Sequence, residues 1–201
     1  LLVRLAPAVA AAAMASGVAT KPIADLDAYR QRLNQFIFRT GLMMKPVFDA
    51  ARRSPRRVVY AEGEEEVVLR AVQTVLEEGF AKPILIGRPN VIEQRIQRLG
   101  LPLQAGVHFE LTNIDSDPRF NEYWQHYHRI MERRGVTPAN AKAIVRSRSS
   151  VIGALMVERG EADAMISGVV GTLHRKLSYA QDVVGLEAGV ELPSSMSALA
   201  C

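Results

Sequence analysis

From residue 57 onward, short apolar runs alternate with segments whose apolar residues recur every three or four positions. VVYA (58–61), PILIG (83–87), VHFEL (107–111) and DAMIS (163–167) are β-prone runs bounded by glycine, proline or acidic residues, and each reads as a strand. Between them the pattern is helical. EEEVVLRAVQTVLEEG (64–79) has acids in its first turn and a terminal glycine, and PNVIEQRIQRLG (89–100) opens on a proline and stops at Gly100. A long helix is expected over 117–134, with Phe120, Tyr123, Trp124, Tyr127 and Met131 on one face. Thr137 and Pro138 are placed as N-cap and first helical residue of a segment running to about 159, broken near Arg146. A last helix is expected over 171–185. Strands alternating with helices, the strands buried on both faces, predict an α/β fold: a layered parallel sheet with helices on both faces.

Upstream the pattern is wholly helical. LLVRLAPAVAAAAMASGVATKPI (1–23) has an arginine followed by an apolar run, as a secretory leader would, but the run is mostly alanine, a strong helix former and a weak membrane partner. Pro7, Gly17 and Pro22 supply start and stop signals, so the stretch reads as a short helix cut from a longer protein. Leu26, Tyr29, Leu33, Phe36 and Ile37 define the stripe of a helix beginning near Asp25 or Asp27, and a second short helix is expected over 44–53.

Composition narrows the function classes. The 201 residues are 48% hydrophobic and carry 25 Lys and Arg against 21 Asp and Glu, a net charge of +4, with the basic residues scattered. RRSPRR (52–57), between two elements, reads as a solvated face or an interdomain junction, and no nucleic-acid footprint or membrane span is expected. The single cysteine is Cys201, which excludes a disulfide within one chain and points to a reducing, cytoplasmic setting. The four histidines have no metal-ligand spacing, and no metal site is expected here.

Ligands of open parallel sheets bind beyond the carboxyl ends of the strands, so the strand-to-helix loops are where chemistry is sought. AEGEEE (61–66) puts three acids at a helix start, which favours the helix and repels phosphate, and reads as structural. IGRPN (86–90) offers Arg88 to an anion. SGVVGT (167–172) is the best candidate: Gly168 and Gly171 let the backbone approach a ligand, Ser167 and Thr172 can donate hydrogen bonds, and Arg175 and Lys176 follow one turn on. It is neither a Walker loop nor a dinucleotide fingerprint, and a plain tight turn explains its glycines equally.

YAEGEEEVVLRAV (60–72), KPILIGRP (82–89), EYWQHYHRIMERRGVTPANA (122–141) and GALMVERGEADAMISG (153–168) together resemble the phosphotransacetylase-like domain of the large bacterial NADP-dependent malic enzymes. RLAPAVAAAAMASGVATKPI (4–23) is similar to the closing helix of their dinucleotide-binding domain. The resemblance divides the chain into that helix (1–23), a helical linker (24–56), the first part of a phosphate acetyl/butyryl transferase-like domain (57–190) and a disordered tail (191–201).

It implies a parent that converts malate to pyruvate and CO2 with NADP and a divalent metal (Mg or Mn), whose catalytic residues lie outside this chain. The transferases continue after Ser-Gly with a Thr-rich turn and an Arg-Pro pair. Here the chain reads VVGTLHRKLSYAQ, which shifts the expectation from acetyl transfer to a regulatory region sensing acetyl-CoA, with an acyl-CoA or acyl phosphate bound around 167–175. Two other readings stay open: a working phosphate acetyltransferase, and a module that only assembles a homo-oligomer, through the aromatic face of 120–131 and the helix at 25–40.

Overall fold

The computed structural model describes residues 2–37 and 39–194. Described residues up to 50 fall in one compact unit and 51–194 in a second. In the first unit, α1 (Leu2–Ala15) ends before Gly17, whose φ of 74° suits a residue without Cβ. α2 (Leu26–Ile37) is capped by Asp25, whose Oδ1 accepts from the N–H groups of Asp27 and Ala28, both at 2.9 Å. α3 spans Arg39–Arg53, five residues longer at its start than the sequence predicts. Pro46 lies inside it and removes one N–H from the helical hydrogen-bond ladder.

The second unit holds the sheet. β1 (Arg56–Tyr60), β2 (Ala81–Ile86), β3 (Glu110–Thr112) and β4 (Ala164–Ile166) are all parallel, in the order β3-β2-β1-β4. Pro83 is tolerated in β2 because it pairs there only with Val58 of β1, one residue before the β3 ladder begins at Ile84. At the other margin, the Asp163 carboxylate accepts from the Arg57 N–H at 2.8 Å and pairs with its guanidinium at 3.1 Å, which joins the starts of β1 and β4.

Strand alternation divides the core in two. Tyr60 and Leu85 face α4 (Glu66–Glu77) and α5 (Pro89–Leu99), packing against Val68, Leu69, Val72, Ile92 and Ile96. Val59, Ile84 and Ile86 face the opposite layer of α6 (Phe120–Met131), α7 (Pro138–Ser147), α8 (Ser149–Glu158) and α9 (Leu173–Val183). Period-2 burial along the strands thus feeds both helical layers, as the α/β expectation requires.

Three sequence expectations are corrected. The third strand lies at 110–112 rather than 107–111, because residues 104–109 close a turn: the His108 N–H donates to the Gln104 carbonyl, and its ring nitrogen Nδ1 accepts from the Gln104 N–H at 3.0 Å. The helix expected over 117–134 runs from Phe120 to Met131 and tightens into a 3₁₀ turn over Glu132–Arg134. Of its aromatic stripe, Tyr123 and Tyr127 are core at 1% and 2% exposed, while Phe120 and Trp124 pack against that core half-buried. Thr137 caps α7 as predicted, its hydroxyl accepting from the Asn140 N–H, and the break before α8 falls at Arg148. Of the tail expected over 191–201, residues 191–194 form neither helix nor strand, and 195–201 lie outside the described residues.

Candidate functional site

Each strand hands its chain to a helix at the carboxyl edge of the sheet, and those connections surround a crevice of about 560 Å³. Glu62 and Glu64 enter it after β1, Arg88 after β2, and Asp115 after β3. Arg146 to Ser150 line it from the α7–α8 break, while Gly171, Thr172, Arg175 and Lys176 line it from the β4–α9 turn.

Close backbone packing positions the β1 and β2 loops. A Cβ on Gly63 would stand 2.8 Å from the Ile86 carbonyl oxygen, and one on Gly87 would stand 2.8 Å from Glu64 Cγ. With both absent, Glu64 lies across Gly87 and accepts from the Arg88 N–H (2.9 Å), Nε (2.9 Å) and Nη2 (2.8 Å). Those hydrogen bonds hold the Glu64 carboxyl below the usual carboxylate range. Arg88, a candidate for meeting an anion, therefore already has an internal carboxylate as its partner.

The centre of the site is Glu62, whose side chain is 7% exposed. Its Oε1 accepts from Lys176 Nζ (2.7 Å), Ser167 Oγ (3.1 Å) and the Gly168 N–H (3.2 Å), and its Oε2 lies 3.1 Å from the same N–H. Lys176 Nζ also donates to Ser150 Oγ at 2.8 Å, and the Ser150 and Ser167 hydroxyls are 3.0 Å apart. The four side chains and one backbone N–H form a closed ring. Burial pushes the Glu62 carboxyl up, but Lys176, Gly168 and Ser167 outweigh it and hold it below the usual range.

The structure therefore separates the residues singled out in SGVVGT and its helix. Ser167 and Gly168 are engaged by Glu62, whereas Gly171, Thr172 and Arg175 face the crevice. Gly168 and Gly171 have φ of 136° and 91°, so the turn does require glycine. Among the described residues, the guanidinium groups of Arg148 and Arg175 have no carboxylate, carbonyl or aromatic partner. Sequence reasoning missed Glu62 and Ser150, and it named Lys176 beside Arg175 as a basic residue following the turn rather than as the partner of a carboxylate. Glu62 was signalled by its place immediately beyond a strand's carboxyl end, but Ser150 joins the ring only through the fold.

A second polar cluster braces the layer behind the crevice. Glu161 accepts from Arg119 Nη1 (2.8 Å), Tyr123 Oη (2.6 Å) and Arg159 Nε (2.6 Å). Burial pushes its carboxyl up, and the Tyr123 and Arg159 hydrogen bonds with the two guanidinium charges bring it below the usual range. Asp117 and Asp163 are likewise lowered, the first through Arg119 against its burial and the second through Arg57.

Carboxyls lowered on folding give stability that is complete above their ordinary values and lost as pH falls through the folded ones. Those ordinary values are 4.5 for Glu and 3.8 for Asp. Thermal unfolding midpoints are therefore expected to change little between neutrality and about pH 5 and to drop steeply below that. A midpoint that stays level down to about pH 3 would contradict these pairings.

Fold and crevice define an open parallel α/β domain with a polar, cation-bearing cleft at its carboxyl edge. The family model described as Phosphate acetyl/butaryl transferase matches residues 42–201, and the chain belongs to that family. It is 57% identical to the NADP-dependent malic enzyme of Escherichia coli (strain K12) over 99% of this chain and 26% of that protein. It is 52% identical to an NAD-dependent malic enzyme of Rhizobium meliloti (strain 1021), with the same coverage, and 31% identical to the phosphate acetyltransferase of Nitratidesulfovibrio vulgaris over 75% of this chain and 21% of that one. The chain thus spans about a quarter of the length of the malic enzymes it matches. A phosphotransacetylase structure from Streptococcus pyogenes shares its fold, with a TM-score of 0.65 at 21% identity, over 74% of this chain and 45% of that one. The resemblance read from 60–72, 82–89, 122–141 and 153–168 agrees with these matches.

Proposed function

We propose that this chain is the acyltransferase-like region of an NADP-dependent malic enzyme that oxidatively decarboxylates malate to pyruvate. In this reading its crevice binds an acyl-CoA or acyl phosphate, with acetyl-CoA as effector of the distant chemistry. The observation that carries the ligand assignment is the pair of unpartnered guanidinium groups, Arg148 and Arg175, beside the Gly171–Thr172 backbone in a 560 Å³ crevice. Such groups form strong charge-assisted hydrogen bonds to phosphate oxygens. The identity to malic enzymes over 99% of the chain supports the parent's reaction. NADP and a divalent Mg or Mn belong to that parent reaction, and no residue of this chain is assigned to either. Among the described residues no group of three or more His, Cys, Asp or Glu is placed to hold a metal ion, and no helix is long and apolar enough to cross a membrane. A cytoplasmic homo-oligomer without nucleic-acid or membrane partners completes the reading.

Titration of the intact parent with acetyl-CoA and with acetyl phosphate tests it. Arg175→Ala is expected to weaken binding about tenfold or more, the worth of a lost charge-assisted contact. It should shift the effector dependence of malate oxidation while leaving the rate without effector unchanged. Unaltered affinity in the variant would refute the assignment. The family match and the similarity to a phosphate acetyltransferase favour one further reading, acetyl transfer between phosphate and coenzyme A. Isotope exchange between acetyl phosphate and acetyl-CoA decides it, and a folded parent without exchange excludes it.

A further inference from the structure

The Glu62 carboxylate is seated among donors of the kind that bind anions. It uses the Gly168 N–H, the Ser167 hydroxyl and the Lys176 ammonium at 2.7–3.2 Å, and of these Lys176 lines the crevice together with Glu62 itself. The side chain is nearly buried and reaches the β4–α9 turn from the end of the neighbouring strand β1, so the contact spans 105 residues of sequence and closes across two loops.

We infer that the Glu62 carboxylate is an internal counter-anion standing in for the phosphate-class group of the ligand, so that binding is an exchange in which the incoming anion takes over Ser167, Gly168 and Lys176. The inference rests on the ligand reading proposed above and names what sets its selectivity. A simple monoanion gains nothing by replacing one carboxylate with another. A ligand of higher charge that also reaches Arg148 and Arg175 brings contacts Glu62 cannot make, and it alone displaces the carboxylate. Once displaced, the Glu62 charge stands beside the bound anion and opposes it, which holds affinity below what the donors would otherwise give.

The experiment titrates the full chain with inorganic phosphate at neutral pH and compares wild type with Glu62→Gln, which preserves shape while removing the charge. The amide is expected to bind phosphate about tenfold more tightly, and the Gly168 amide resonance should move on titration in both proteins. Glu62→Asp withdraws the charge by one methylene; it repeats the test should the amide fail to fold, and it too must tighten binding. If wild type binds phosphate and the folded variants bind no better, or the Gly168 resonance stays still while phosphate binds, the counter-anion assignment is overturned and the crevice reading survives. If neither protein binds phosphate, acetyl phosphate or acetyl-CoA, the crevice reading fails and this inference falls with it.

Discussion

Glu161→Ala is expected to lower the unfolding free energy by about 2–3 kcal/mol. The carboxylate is the shared acceptor of two arginines and a tyrosine, and both guanidinium groups also stand 5.4 Å from the centroid of the Tyr123 ring. Removing it leaves two cations facing one ring and strands a hydroxyl that burial and the Glu161 charge keep firmly protonated. The loss stays below that of a fully buried pair because Arg119 keeps Asp117 and Arg159 keeps Glu122. Tyr123→Phe deletes a single hydrogen bond and should cost about 1 kcal/mol. Urea unfolding with unchanged slope measures both. Equal losses in the two variants would show that the arginines do not depend on Glu161.

Gly63→Ala is expected to cost about 2–3 kcal/mol and to lower the thermal midpoint by about 5–10 °C. Its Cβ would meet the Ile86 carbonyl oxygen at 2.8 Å and Leu85 Cβ at 2.9 Å, and neither belongs to a flexible side-chain end. Relief requires the β1–α4 loop to lift from β2, which breaks the Gly63 N–H to Ile86 hydrogen bond of 3.1 Å. The cause is steric, since Gly63 has an ordinary φ. Gly100 offers the contrast: φ is 62° and nothing lies near its missing Cβ, so alanine there brings only backbone strain of about 1 kcal/mol. A Gly63→Ala protein no less stable than Gly100→Ala would refute the packing argument.

Legibility in the sequence followed the range of the interactions. The α5 helix was readable at both ends because Pro89 and Gly100 act through their own backbone angles, as did Asp25 and Thr137 through hydrogen bonds two or three residues away. The strand at 107–111 was misplaced because Gly106 and His108 close a turn whose energy depends on a ring nitrogen's orientation, which apolar patterning does not encode. The turn at 167–172 was recognised as special from its glycines. The acidic loop at 61–66 was set aside because three carboxylates at a helix start look purely structural, while a fourth, one strand-end earlier, reaches across the sheet.

By itself the sequence determined the alternation of strands and helices, the two-faced burial of β1 and β2, most helix ends and the family. Each of these is written in nearest-neighbour chemistry or in a period of two or 3.6 residues. Tertiary structure alone decided that β4 lies beside β1 rather than β3, and hence that Glu62 meets Ser167, Gly168 and Lys176. It also decided that Arg88 is already matched by Glu64 while Arg148 and Arg175 face the crevice without a partner. Charges attract at a few ångströms whatever their separation along the chain, so which carboxylate neutralises which cation is settled only when strand order brings them together.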